Sequence, residues 1–184
     1  IGAEGTGTLV IRNGGSVSIG NVRSGVIIGF IDGSSGVLAI GALANEAPAL
    51  AGTLQTERMV FSEGAGTLVF NHVGATEFAA VLHSQGNGTH SLEHYAGNTT
   101  LTADSSGFLG VTRVFGGRLA VADGAVLGGT ASVTGGALIV NGSFEGPVEV
   151  LSGGRLGGVG TVGGTVTLAS GATIAPGNSA GTFT

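Results

Sequence analysis

His90-Ser91-Leu92-Glu93-His94 has the H-x-x-E-H spacing of the inverted zinc proteases. On a helix, positions i and i+4 share a face and could grip one zinc ion. In a strand, His90, Leu92 and His94 share a face and Glu93 turns to the other side. A two-histidine zinc contact is possible there, but the pattern identifies neither a third ligand nor a general base. The simpler reading of His72, His83, His90 and His94 is that they are solvated, on a loop or an outer face.

Two further motifs invite chemistry. Gly177-Asn178-Ser179-Ala180-Gly181 fits G-x-S-x-G, but a nucleophile elbow needs a strand-turn-helix setting and an acid and a histidine later in the chain. Only Thr182 to Thr184 follow, so Ser179 reads as a turn serine. Gly158-Val159-Gly160-Thr161-Val162-Gly163 fits G-x-G-x-x-G, yet Thr165-Val166-Thr167-Leu168 after it is strand-like. A dinucleotide site needs a helix N-terminus at that point. Calcium rolls need an Asp in every turn, and this chain has only Asp32, Asp104 and Asp123, far apart. The carboxylates Glu145 and Glu149, and Glu57 and Glu63, lie near one another in sequence, but a hydrolytic pair would have to align across layers of structure. The expectation is therefore no catalytic residue, no metal site and no cofactor.

The elements that would position these residues are unusual. Glycine supplies 39 of 184 residues, about three times its ordinary share. Charged residues make up 9%, there is no Cys or Trp, and mean hydropathy is +0.48, too apolar for a disordered glycine-rich linker. Three prolines and no glycine triplet exclude collagen, and glycine at about 1 kcal/mol per position opposes helices. A net charge of −5 with six arginines and no lysine argues against nucleic acid and anionic membrane surfaces. No segment has the roughly 18 unbroken apolar residues of a spanning helix. The absence of cysteine rules out a disulfide scaffold. The chain opens at Ile1 with no Met or signal peptide, which suggests a piece cut from a longer protein.

A repeat organises the C-terminal half. Gly116-Gly117 precedes Arg118-Leu119, Gly135-Gly136 precedes Ala137-Leu138, Gly153-Gly154 precedes Arg155-Leu156, and Gly171-Ala172 precedes Thr173-Ile174. A second marker runs half a step behind, at Gly129-Thr130, Gly146-Pro147, Gly164-Thr165 and Gly181-Thr182. Between them, Ala131-Ser132-Val133, Val148-Glu149-Val150 and Val166-Thr167-Leu168 alternate with the period of a strand. A repeat of about 18 residues holding two or three short strands reads as one coil of a β-solenoid. Leu119, Leu138, Leu156 and Ile174 would form one inward ladder, and Val133, Val150 and Leu168 another.

The prediction is an all-β chain with coils of about 18–20 residues, forming one domain over 1–184. Residues 116–184 are its regular part and 1–115 the less regular one. In the latter, 42–52 and 71–98 break the period and are expected to form loops.

The stretch from Arg155 to Thr184, with Ala169-Ser170-Gly171-Ala172-Thr173-Ile174-Ala175-Pro176-Gly177-Asn178-Ser179, resembles the passenger-associated repeat of classical (type V) bacterial autotransporters. Gly66-Thr67-Leu68-Val69-Phe70-Asn71-His72 and Tyr95-Ala96-Gly97-Asn98-Thr99-Thr100-Leu101 resemble coils of the same family. The match is most specific over 153–184 and extends over 64–184, with Arg155 in place of the usual Thr and Phe183 in place of Leu. The resemblance implies a right-handed parallel β-helix at the surface of a Gram-negative bacterium, a stalk that belongs most naturally to an adhesin. It also implies that the C-terminal coils act as an autochaperone. The implied partners are the protein's own C-terminal translocator β-barrel, the outer-membrane assembly machinery and host surface or matrix components. The competing readings are the scaffold tail of a protease or esterase passenger with its active site upstream, and a freestanding solenoid.

Overall fold

In the computed structural model, residues 1–20 and 25–177 are described. They contain strands, turns and bends but no helix. Alternating side chains make the strands, and glycine-rich corners end each strand after two to seven residues, except for two long strands, Ala65–Phe78 and His90–Leu101. Every strand pairing is parallel; an isolated bridge, Arg12 to Ala51, is antiparallel.

Successive passes of the chain return to the same sheet. Thr6 pairs with Ser35, Ser35 with Ala65, Gly66 with His90, Ser91 with Val111, Val111 with Thr130, Ala131 with Val148 and Val148 with Val166. These pairs define eight layers separated by 29, 30, 24, 20, 19, 17 and 18 residues. The expected coil length therefore holds from about Ser91 onward, while the N-terminal coils are longer. The extra residues form a turn over 42–48 and an additional strand pair, Ser16–Ser18 with Thr53–Gln55.

A second face runs down from the distal halves of the two long strands. It continues through Arg118–Val121, Ala137–Val140, Arg155–Gly158 and Thr173–Pro176. A third face begins with Val26–Ile28, Arg58–Phe61 and Val81–Ser84. It is carried on by Asp104–Ser105, Val126–Leu127, Ser143–Phe144 and Thr161–Val162. All-β architecture with parallel stacking is thus observed, in an arrangement consistent with a β-solenoid.

The two expected ladders form in register. Leu119 stacks on Leu138, Leu138 on Leu156 and Leu156 on Ile174. Val133 likewise meets Val150, which meets Leu168. The interior of each ladder is fully buried, and exposure rises to 39% at Ile174 and 46% at Leu168 because the eighth layer has a neighbour on one side only among the described residues. The glycine marker has a steric cause. A side chain at Gly129 (φ 79°) would overlap the carbonyl oxygen of Gly110, and one at Gly146 would overlap that of Gly129. At the Gly74 and Gly124 corners, also left-handed, a Cβ would meet nothing. Ser179, read as a turn serine, and the last marker, Gly181-Thr182, lie outside the described residues.

The expected loop over 71–98 is corrected by the structure. Most of it is strand, within Ala65–Phe78, Val81–Ser84 and His90–Leu101. Its apolar pattern is broken because polar side chains occupy inward positions. The ladder Ile40, Phe70, His94, Val114, Val133 has a histidine in the middle. Leu38, Leu68, Leu92, Thr112, Ala131 has a threonine. The Leu119 ladder continues into the preceding layers as Thr99 and Thr76.

Candidate functional site

The polar side chains of the third to fifth layers form a band across an otherwise apolar interior. His72, His90, His94, Thr99, Ser84, Ser105 and Thr112 are all buried. The expectation of solvated histidines is therefore corrected for three of the four; only His83 is partly exposed. A buried polar group is tolerated where it finds partners, and nearly every member of the band does.

His90 is fully engaged. Its Nε2 lies 2.7 Å from the Ser62 carbonyl oxygen and its Nδ1 2.9 Å from Ser84 Oγ. Nε2–H therefore donates to the carbonyl, and Nδ1 accepts from the serine hydroxyl. Ser84 Oγ in turn accepts the Leu109 N–H at 3.0 Å. The ring packs beside Phe61, centroids 5.5 Å apart.

His94 faces a different partner, His72, with ring centroids 6.3 Å apart and edge to face. Thr99 Oγ1 sits between them, 2.8 Å from His72 Nε2 and 3.1 Å from His94 Nε2. The hydroxyl has one hydrogen to give, so hydrogen-bond chemistry fixes the direction of the chain. His94 Nδ1–H donates to the Gly116 carbonyl at 2.8 Å, which leaves its Nε2 to accept from Thr99. Thr99 can then only accept from His72, and His72 carries its proton on Nε2. Its Nδ1 lies 3.3 Å from the Val73 carbonyl, a contact that becomes a hydrogen bond only when a second proton binds. Burial opposes that proton: it holds His72 below its ordinary value, against the pull of the Val73 carbonyl. Burial likewise brings His94 down to about 4, despite its hydrogen bond to Gly116 and with a further push from His72.

The zinc arrangement suggested by H-x-x-E-H is not assembled. His90 and His94 share the inward face as the strand geometry predicts, but each serves its own network. Glu93 lies on the outer face, where it accepts the Tyr95 hydroxyl at 2.9 Å and sits 3.9 Å from Arg113. Burial first, and then Glu93, push Tyr95 up to about 12, and its ring stacks on Phe115 at 4.7 Å. Among the described residues no three His, Cys, Asp or Glu side chains are grouped to hold a metal ion. Gly158, in G-x-G-x-x-G, ends a strand, and Thr161–Val162 is again a strand, so no helix N-terminus is there to hold a pyrophosphate. Glu57, Glu63, Glu145 and Glu149 are exposed on the outer surface, and Glu63 makes a 3.5 Å contact with the Asn87 N–H.

The pairing of His72 with His94 was missed from the sequence. The signal was the parallel register of Gly66-Thr67-Leu68-Val69-Phe70 on His90-Ser91-Leu92-Glu93-His94, which brings the two inward histidines into neighbouring layers.

No family model and no solved structure matches the chain. A curated protein of Escherichia coli K12, described as the uncharacterized lipoprotein YdeK, is 34% identical over 143 residues, covering 73% of this chain. The chain spans about a tenth of the length of that relative.

Proposed function

We propose that the chain is a passenger segment of a Gram-negative autotransporter, a right-handed parallel β-helix that forms an adhesin stalk at the cell surface. Its C-terminal layers serve as the template on which the rest of the stalk folds. The observation that carries this reading is the regularity of the last four layers. Layers 17–19 residues apart hold two unbroken aliphatic ladders in register. Such a block can fold by nearest-neighbour contacts and offer its open strand edge for the next strand to join. A relative whose name marks it as a lipoprotein supports a location in the cell envelope. The partners of this reading are the translocator β-barrel, the outer-membrane assembly machinery and a host surface.

The test places residues 1–184 between a signal peptide and a translocator β-barrel in E. coli. Surface exposure is read by antibody binding and by protease resistance on intact cells. The expected result is display of a resistant chain that is lost when Leu138 and Leu156 are both replaced by Ala. Equal display of the double variant, or retention of the parent chain inside the cell, would overturn the proposal.

A further inference from the structure

The arginines of this acidic chain are not evenly engaged. Arg12 pairs with Glu46 at 3.3 Å and Arg113 lies 3.9 Å from Glu93. Arg58, Arg118 and Arg155 make no ion pair among the described residues. Two of these three, Arg118 and Arg155, line a single groove on the outer side of the second face, together with Asp123, Ile139, Asn141 and Val159.

The register explains the groove. Arg118 stacks over Ala137, which stacks over Arg155, so the two guanidinium side chains start from the same column two layers apart. At about 4.8 Å per layer, their origins are roughly 10 Å apart along the stack. The next outward column runs Ala120, Ile139, Gly157, Ala175. Its small residues leave a depression beside Ile139, whose Cδ1 would touch a Cβ placed on Gly157 at 3.2 Å. The result is a trench lined by Ile139 and Val159 together with two cations, one amide and one carboxylate.

We infer that this trench binds an acidic saccharide chain, independently of the passenger reading. A sugar ring offers an apolar C–H face to side chains such as Ile139 and the exposed Val159, and its hydroxyls suit Asn141 and Asp123. Carboxylates or sulfates on alternate sugars of an extended chain suit guanidinium groups separated along one axis, because a guanidinium fork can donate two N–H bonds to two oxygens of one anionic group. A phospholipid surface would instead favour a cluster of several basic residues, and this trench has two arginines. With two cations and one carboxylate in its lining, the trench is a net cationic spot on a protein of net charge −5, so charge complementarity favours an anionic occupant.

The test titrates the chain with hyaluronan oligosaccharides (carboxylates on alternate sugars), with dextran sulfate, with neutral dextran and with anionic phospholipid vesicles. The expected result is saturable binding of a charged saccharide and none of neutral dextran. Hyaluronan and dextran sulfate separate carboxylate from sulfate as the recognised group. Arg118→Gln and Arg155→Gln should each weaken binding by about tenfold, or 1.4 kcal/mol, with unchanged melting temperatures. Arg58→Gln should leave binding unaffected. Three results would overturn the inference: no binding of either charged saccharide, equal losses from all three arginine variants, or arginine-dependent binding of vesicles alone.

Discussion

Lowering the pH from 7 to 5 should destabilise this protein through His94, and the size of the loss follows from its surroundings. The ring is fully buried and faces Phe70, His72, Thr99 Oγ1 and the Gly116 carbonyl, with no carboxylate against it. Burial brings its pKa from 6.5 to about 4. Between those values the unfolded chain takes up a proton that the folded chain refuses. The stabilisation is therefore complete above about 6.5, falls as the pH drops, and stops falling below about 4. Over the interval from pH 7 to 5, this linkage removes about 2 kcal/mol, a substantial part of the ordinary 5–15 kcal/mol of a domain. His72, lowered for the same reason, adds in the same direction. Urea unfolding of the wild-type chain and His94→Gln at both pH values isolates the histidine from the carboxylates, which titrate mostly below this range. The wild type should lose about 2 kcal/mol more than the variant between pH 7 and 5. If both lose the same amount, His94 is not held neutral by burial and the directed chain through Thr99 is wrong.

Thr112 supplies a second test, because its buried Oγ1 finds no hydrogen-bond partner. Thr112→Val should stabilise by about 1–3 kcal/mol, as an unpaired hydroxyl becomes a methyl in the same volume; a loss in thermal unfolding would point to a partner. In the ladders, Leu138→Ala should cost about 2–5 kcal/mol, whereas Thr167→Ala on the outer face should change stability by under about 0.5 kcal/mol in the same melts. Comparable effects at the two sites would mean that the inward phase is misassigned. Limited proteolysis followed by mass spectrometry should cut first at the turn over 42–48, where the chain leaves the stack. First cuts within 116–177 would argue against a stable templating block.

The readable and unreadable parts of this sequence divide at about Ser91. Beyond it, glycine corners and alternating aliphatic residues recur at almost constant spacing, because each layer copies the shape of the one before. Leu119, Leu138 and Leu156 could be assigned to a ladder from spacing alone. Before it, layers of 24–30 residues carry a turn and an extra strand pair that shift the count. Residues 71–98 were misread for a different reason. Periodicity detects burial through hydrophobicity, whereas His72, Thr99 and His94 are buried with hydrogen bonds to one another, and His90 with bonds to Ser84 and the Ser62 carbonyl. Their polarity hid an inward phase that the backbone register makes plain. The Arg118 and Arg155 trench escaped notice because column neighbours two layers apart are far apart in sequence.

The empty corners at Gly74 and Gly124 make the stack an addressable rod. A peptide grafted there would leave and re-enter without displacing a neighbouring layer, whereas one at Gly129 would meet the backbone beneath it. The two ports belong to the third and fifth layers, so their axial separation is set at roughly 10 Å by the rungs between them. Two short ligands mounted on these ports would be held at a distance defined by backbone hydrogen bonds rather than by linker statistics. Bivalent capture could then be tuned by choosing the port.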